Sequence, residues 1–188
     1  GKNLMTQLQQ SSLALYTYDP DPNATDGYRT LIKGVNLMAK LPTIACYTYS
    51  AKTHYFGRES LVLHYPQQGF STAENILSLL RLDGKFTPEE ARLLALLLLL
   101  HADHGGGTNS TFTNVVVAST DTDLYSTIAS SIGSLKGPRH GGANVRVANM
   151  VDKVIDAIGV DAGDSAIERV IERLMNKELD NPSGLVYG

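Results

Sequence analysis

The segment from Thr87 to Leu100 constrains this chain more than any other, because Thr87-Pro88-Glu89-Glu90 leads directly into the apolar run Leu93–Leu100. Proline at the first helical position with carboxylates in the first turn is a strong helix start. Leucine on every side leaves no polar face, so the pattern predicts a helix buried at the centre of its domain, with His101 and His104 at its carboxyl end. The run falls far short of the ~20 residues needed to cross a bilayer.

The flanking sequence repeats the helical signal. Leu4, Leu8, Ser11, Ser12 and Leu15 share a face until Asp19-Pro20-Asp21-Pro22 breaks the pattern. Ile32, Val35, Met38 and Ala39 keep helical spacing, Pro42 interrupts them, and the pattern resumes from Ile44 to Tyr49, which predicts one long, bent helix. Residues 53–70 read as an irregular connection, where His54 and His64 are surface residues. Ser71 and Glu74 fit a capping box ahead of Ile76, Leu77, Leu79 and Leu80, and Asp83-Gly84 closes that helix. Phe112–Ala118 is open between strand and helix, since three valines favour the first while the flanking threonines and asparagine could cap the second. Leu124, Tyr125, Ile128, Ala129 and Ile132 share a helical face, and Ser126, Ser130, Gly133 and Ser134 would let another helix approach closely. Two further helices follow, on Val147, Met150, Val151, Val154, Ile155 and Ile158 and on Ile167, Val170, Ile171, Leu174 and Met175. No strand pair or repeat emerges, so the chain is expected to be all-α.

Charge and cysteine usage narrow the function classes. Sixteen basic and 19 acidic residues give a net charge of −3. That balance supplies no basic excess for nucleic acid or for a membrane surface. Cys46, the single cysteine, cannot form an internal disulfide and sits in an apolar helical stretch, where it reads as a buried structural thiol in a reducing compartment. The start, Gly1-Lys2-Asn3-Leu4-Met5, lacks the features of a secretory signal, and the natural start is expected upstream.

Proton-handling groups concentrate between residues 101 and 144. His101, Asp103 and His104 offer metal-type donors, but His-x-x-His without cysteine or a third strong ligand nearby is a weak metal signal. Gly105-Gly106-Gly107 lacks the lysine and hydroxyl residue of a phosphate loop, and Ser110 lacks the glycine-flanked elbow of a hydrolase nucleophile. His101 and His104 could simply satisfy the last carbonyls of the leucine-rich helix, the reading favoured for His101. His140 lies in a glycine turn: Pro138 stiffens the approach, Gly141 and Gly142 permit tight backbone geometry, and a helix begins near Ala143. An ordinary histidine in a helix–helix turn is the alternative there.

His101-Ala102-Asp103-His104, Ser110-Thr111-Phe112-Thr113 and Gly137-Pro138-Arg139-His140-Gly141-Gly142-Ala143-Asn144, at these spacings, resemble the substrate-site segments of the citrate synthase family. Leu37-Met38-Ala39-Lys40-Leu41-Pro42-Thr43 and Ser71-Thr72-Ala73-Glu74-Asn75 match in the family's order. Thr108, Arg139 and Val145 depart from common family residues, as a subfamily variant would.

The resemblance implies a multi-helical fold, with residues 1–144 in the large domain, dimer-interface helices included, and 145–188 beginning the small domain. It implies a condensation of acetyl-CoA with oxaloacetate and water, giving citrate and CoA, at the entry to the tricarboxylic acid cycle. Such chemistry needs a base for the methyl proton, a donor for the thioester oxygen and an acid for the ketone oxygen. By resemblance His140 donates to the acetyl carbonyl, Ser110 helps to position that histidine, His104 binds oxaloacetate, and Leu185 and Val186 belong to the loop that reads the CoA adenine. His104 and His140 are expected to converge across one cleft. The resemblance calls for no cofactor beyond the co-substrate acetyl-CoA, no metal, a homodimer and a cytoplasmic setting. It also places the second catalytic histidine and the aspartate base beyond this chain, so the 188 residues alone are expected to be inactive. The 2-methylcitrate synthases, which use propionyl-CoA, are the neighbouring activity, and a non-catalytic helical dimerisation module is the alternative of another class.

Overall fold

A computed structural model of the chain describes residues 3–103 and 105–186. Among these residues the ordered elements are helical: α1 Leu4–Ala14, α2 Gly27–Gly57, α3 Thr72–Leu80, α4 Pro88–Ala102, α5 Asn109–Ala118, α6 Leu124–Leu135, α7 Ala143–Ile158 and α8 Asp164–Met175, with a short 3-10 turn after α1. The all-α expectation holds. The chain divides into two compact units, Gly1–Lys136 and Gly137–Gly188. The division at 144/145 implied by the resemblance concerns the domains of a whole enzyme and stays an expectation.

Side-chain caps set the helix starts in the first unit. Ser71 and Glu74 form a reciprocal capping box on α3, and Thr87 and Glu90 form another on α4 behind Pro88. Asp26 caps α2 through the Arg29 amide, and Asp123 caps α6 through Ser126. Pro42 lies inside the single helix α2, with Leu37 and Cys46 buried on either side of it. Burial of those neighbours, in a helix packed on α1 and α3, offsets the lost backbone bond, which costs about 3 kcal/mol.

Two expectations change, and one open reading is settled. Residues 53–57 are helical, because α2 continues to Gly57 and is closed by Arg58 in the left-handed region with its amide on the Thr53 carbonyl. His54 reinforces this end, its Nδ1 donating to the Glu59 carbonyl at 2.8 Å. The valine stretch resolves as helix α5, since its neighbour in space is α6, to which Asn114 and Asn109 are joined by hydrogen bonds with Ser131 and Ser134. The leucine-rich helix is not central. In α4 only Ala91 is buried, and Leu93 and Leu99 are 59% and 70% exposed. The physical reason is that α4 packs chiefly on α3, so most of its circumference meets no other described element.

The centre of the first unit is instead α6, with Tyr125, Thr127, Ala129 and Ile132 buried between α1 and α5. Gln9 of α1 reaches across Gly133, so the small-residue face of α6 is used inside one chain. The helix that these small residues were expected to admit is thus α1 of the same chain at Gly133. The second unit is the α7–α8 pair with Val170 and Leu174 at its core.

Candidate functional site

In the first unit the candidate segment runs from the end of α4 to the start of α5. His101 is exposed, and its Nδ1 lies 2.8 Å from the Leu97 carbonyl. A carbonyl only accepts, so Nδ1 carries the proton; Leu97 lies a turn back inside α4, so His101 bonds back onto its own helix and does not cap one of the open carbonyls at residues 99–102, which was the role its sequence position suggested. His104 lies outside the described residues. Ser110 is half-buried in the first turn of α5, which begins behind Thr108, whose amide bonds the Gly105 carbonyl and whose hydroxyl meets that of Thr111 at 2.9 Å. Ser110 therefore stands on a helix start fixed by its own neighbours.

In the second unit the glycine turn holds His140. The amides of His140 and Gly141 both bond the Gly137 carbonyl, at 2.9 and 3.0 Å, so the chain coils tightly just before α7. The carbonyl of Pro138 is folded onto Gly142, where a β-carbon would overlap its oxygen. Glycine at 142 is therefore a steric requirement of the turn. His140 is half-buried, and its backbone direction is set by this coil.

Leu185 and Val186 are 54% and 41% exposed, and Leu185 lines a cavity of about 210 Å³ that also touches Arg146, Asn149 and Lys153 of α7. The sequence reading missed these three polar residues. Their spacing was the available signal, since positions 146, 149 and 153 share one helical face, but the apolar stripe beside them dominates the pattern of that helix.

A second omission is Asp19, read only as part of a helix-breaking run. Its carboxylate is 8% exposed, accepts from the Tyr125 hydroxyl at 2.8 Å and from the Asp21 amide at 2.9 Å, and lies 3.3 Å from the Lys33 ammonium. The Asp21 amide, with help from Tyr125 and Lys33, holds this carboxyl below the usual range. Burial above all pushes the Tyr125 hydroxyl up to about 12. No described group of three His, Cys, Asp or Glu residues is placed to hold a metal, and no described helix is long and apolar enough to cross a membrane.

Comparison with known proteins gives a consistent result. The family model described as citrate synthase, C-terminal domain, matches residues 1–188. Citrate synthase of Deinococcus radiodurans is 42% identical over 113 residues, covering 60% of this chain and 28% of that protein. Citrate synthase 1 of Mycobacterium tuberculosis is 34% identical over 176 residues, 89% of this chain and 37% of that protein. 2-Methylcitrate synthase 1 of Corynebacterium glutamicum is 36% identical over 132 residues, 68% of this chain and 33% of that protein. The crystal structure of citrate synthase from Thermotoga maritima superposes with a TM-score of 0.60 at 24% identity, covering 94% of this chain and 42% of that one. The chain thus spans well under half the length of the relatives it matches.

Proposed function

The chain belongs to the citrate synthase family, and from that premise we propose that it carries part of the machinery condensing acetyl-CoA with oxaloacetate and water to give citrate and CoA. The observation that carries this reading is the coil of residues 137–142, in which Pro138 packs onto Gly142 and presents His140 immediately before α7. A donor held in advance of the reaction stabilises charge developing on the thioester oxygen without having to reorganise. His140 takes that role, donating as the methyl group loses its proton and the enol forms. Ser110 takes the part of the serine that helps to position the acetyl-carbonyl histidine, His104 binds oxaloacetate, and Leu185 and Val186 contact the adenine of CoA. The whole enzyme is a cytoplasmic homodimer acting in the tricarboxylic acid cycle.

The 188-residue chain alone does not turn over. None of Asp152, Asp156, Asp161, Asp164 and Asp180 matches the family's base, so methyl deprotonation needs a carboxylate from elsewhere in the enzyme.

The test is thiol release from acetyl-CoA in the presence of oxaloacetate. We expect none from the 188-residue chain and clear turnover from the protein extended to the length of its relatives. In the extended protein, His140→Ala should reduce kcat by about 10²–10³. Turnover undiminished by His140→Ala would overturn the assignment. Faster release from propionyl-CoA than from acetyl-CoA would make the enzyme a 2-methylcitrate synthase.

A further inference from the structure

The polar groups of Asn181 are all engaged on the turn that follows α8. Its backbone amide donates to the Glu178 carbonyl at 3.1 Å, and its backbone carbonyl accepts from the Gly184 amide at 3.0 Å. The side-chain nitrogen has two N–H groups, and they go to the carbonyls of Leu174 and Leu185 at 2.8 and 3.0 Å. The side-chain oxygen accepts from the Ser183 hydroxyl at 3.0 Å, and that hydroxyl oxygen accepts in turn from the Leu185 amide at 3.2 Å. Leu185 is therefore gripped at both ends of its backbone, the amide by Ser183 and the carbonyl by Asn181. With both groups committed, what Leu185 offers a ligand is its side chain, which stays half-exposed.

The other end of this tether is fixed. Leu174, whose carbonyl takes one of the two Asn181 bonds, is buried in the core of the second unit. Leu179 and Asp180 hold φ values of 52° and 53°, a region that residues with side chains occupy when the surrounding contacts impose it. Here the contact is the Lys153 ammonium of α7, which donates to both of their carbonyls at 3.3 and 2.8 Å. Gly184 has a φ of 67°, and a β-carbon there would come within 2.8 Å of the Met175 carbonyl oxygen, so the turn is pressed onto the end of α8.

Resting on the coenzyme reading above, we propose that Asn181 is a positioning residue for the nucleotide half of acetyl-CoA, acting through Leu185, with Ser183 as its accessory. A contact residue held in place before the ligand arrives spares binding the cost of ordering a loop. Asparagine is the side chain that does this, because the two carbonyls need two donors and the Ser183 hydroxyl needs an acceptor on the same group. Aspartate has the same shape and keeps the acceptor, but it loses both donors and sets a carboxylate against two carbonyl oxygens. Lys153 and Gly184 still hold the rest of the turn in that variant, so the change falls on Leu185.

The experiment is steady-state kinetics on the protein extended to the length of its relatives. Rates are measured with acetyl-CoA and with S-acetylpantetheine, which carries the same thioester without the nucleotide. We expect Asn181→Asp to raise KM for acetyl-CoA about tenfold or more with kcat retained, and to leave kcat/KM for S-acetylpantetheine as it was. Ser183→Ala, at an exposed position and with the Asn181 donors intact, should move KM for acetyl-CoA the same way by less, and it decides the matter if circular dichroism shows Asn181→Asp unfolded. Equal impairment of the two thioesters gives Asn181 a merely structural role and overturns the proposal. KM for acetyl-CoA unaltered in both variants also overturns it and leaves the coenzyme reading standing. A native enzyme that uses acetyl-CoA no better than S-acetylpantetheine reads no nucleotide at Leu185, which overturns the coenzyme reading and this inference with it.

Discussion

Tyr125→Phe isolates one bond in a largely covered polar cluster of the first unit. The Tyr125 hydroxyl donates to Asp19, 106 residues away in sequence, and so joins the turn after α1 to α6, while Lys33 brings α2 to the same carboxylate. A hydrogen bond to a charged group contributes about 1.5–3 kcal/mol. Asp19 keeps the Asp21 amide and Lys33 in the variant, and the ring of Tyr125 keeps its edge contact with Tyr16. The lower figure, about 1.5 kcal/mol, therefore applies. Asp19→Asn should cost more, about 3 kcal/mol, because an ammonium only 12% exposed loses its counter-charge and keeps only carbonyl partners.

The assay is urea unfolding followed by helical circular dichroism across a pH series. With a slope of about 1–3 kcal/mol per molar urea, Tyr125→Phe should lower the midpoint by about 0.5–1.5 M at pH 7. Asp19 titrates below the ~3.9 of an unfolded aspartate, so its contribution is complete above that value and is lost as pH falls through the folded pKa. Asp19→Asn should lose that part of the acid sensitivity. Tyr125 is raised to about 12, chiefly by burial and then by Asp19, so its contribution is complete below ~10 and fades as pH rises towards the folded value. Phenylalanine should remove that alkaline loss. A midpoint moved by less than about 0.2 M, or an Asp19→Asn protein with the native acid profile, would refute the coupling.

Glu90 is held at about 2 by the Arg81 guanidinium and the Thr87 amide, so its support for α4 is complete above the ordinary carboxylate range and is lost as pH falls through about 2. Glu90→Gln should lower the thermal midpoint at neutral pH and speed amide exchange at the start of α4; equal melting of variant and parent at pH 7 would contradict the pairing. Cys46 is 3% exposed and its thiol is pushed up to about 11 by burial, so a thiol reagent should label it only as fast as the protein opens. Stoichiometric labelling within seconds in native buffer would be the contrary result. Leu99→Lys should change the stability of this chain by no more than about 0.5 kcal/mol, because the side chain is 70% exposed. A loss several times larger would show that the outer face of α4 is covered.

What could be read from the sequence was mostly what is decided within a turn or two of chain. Both capping boxes, Pro88 at the head of α4 and the coil before α7 are local arrangements, and each stands where its residues predict. The valines of α5 could not be decided that way, because their state depends on the partner: packed on α6 they are helical, whereas a sheet would have needed strands that the described residues do not make. Asp19 was obscured for a related reason. A turn rich in proline and aspartate looks solvated, and nothing local says that its carboxylate is covered by residues 33 and 125.

The leucines of α4 show how far hydrophobic pattern reaches as evidence. Their arrangement states that the helix has no face suited to water, and this remains true of a helix whose Leu93 and Leu99 are largely exposed. The pattern reports a demand for burial without naming its source. In this chain α3 meets a small part of that demand, and the rest requires surface that the described residues do not supply. The histidine turn makes no such demand, since Gly142 and Pro138 shape it from neighbouring residues. A turn that resembles the family's histidine segment can thus be recognised in part of an enzyme from local backbone geometry, while the surroundings that its proposed chemistry requires cannot. For that reason His140→Ala is informative only in a protein whose α4 is covered, and exposure of Leu99 should be measured alongside the activity.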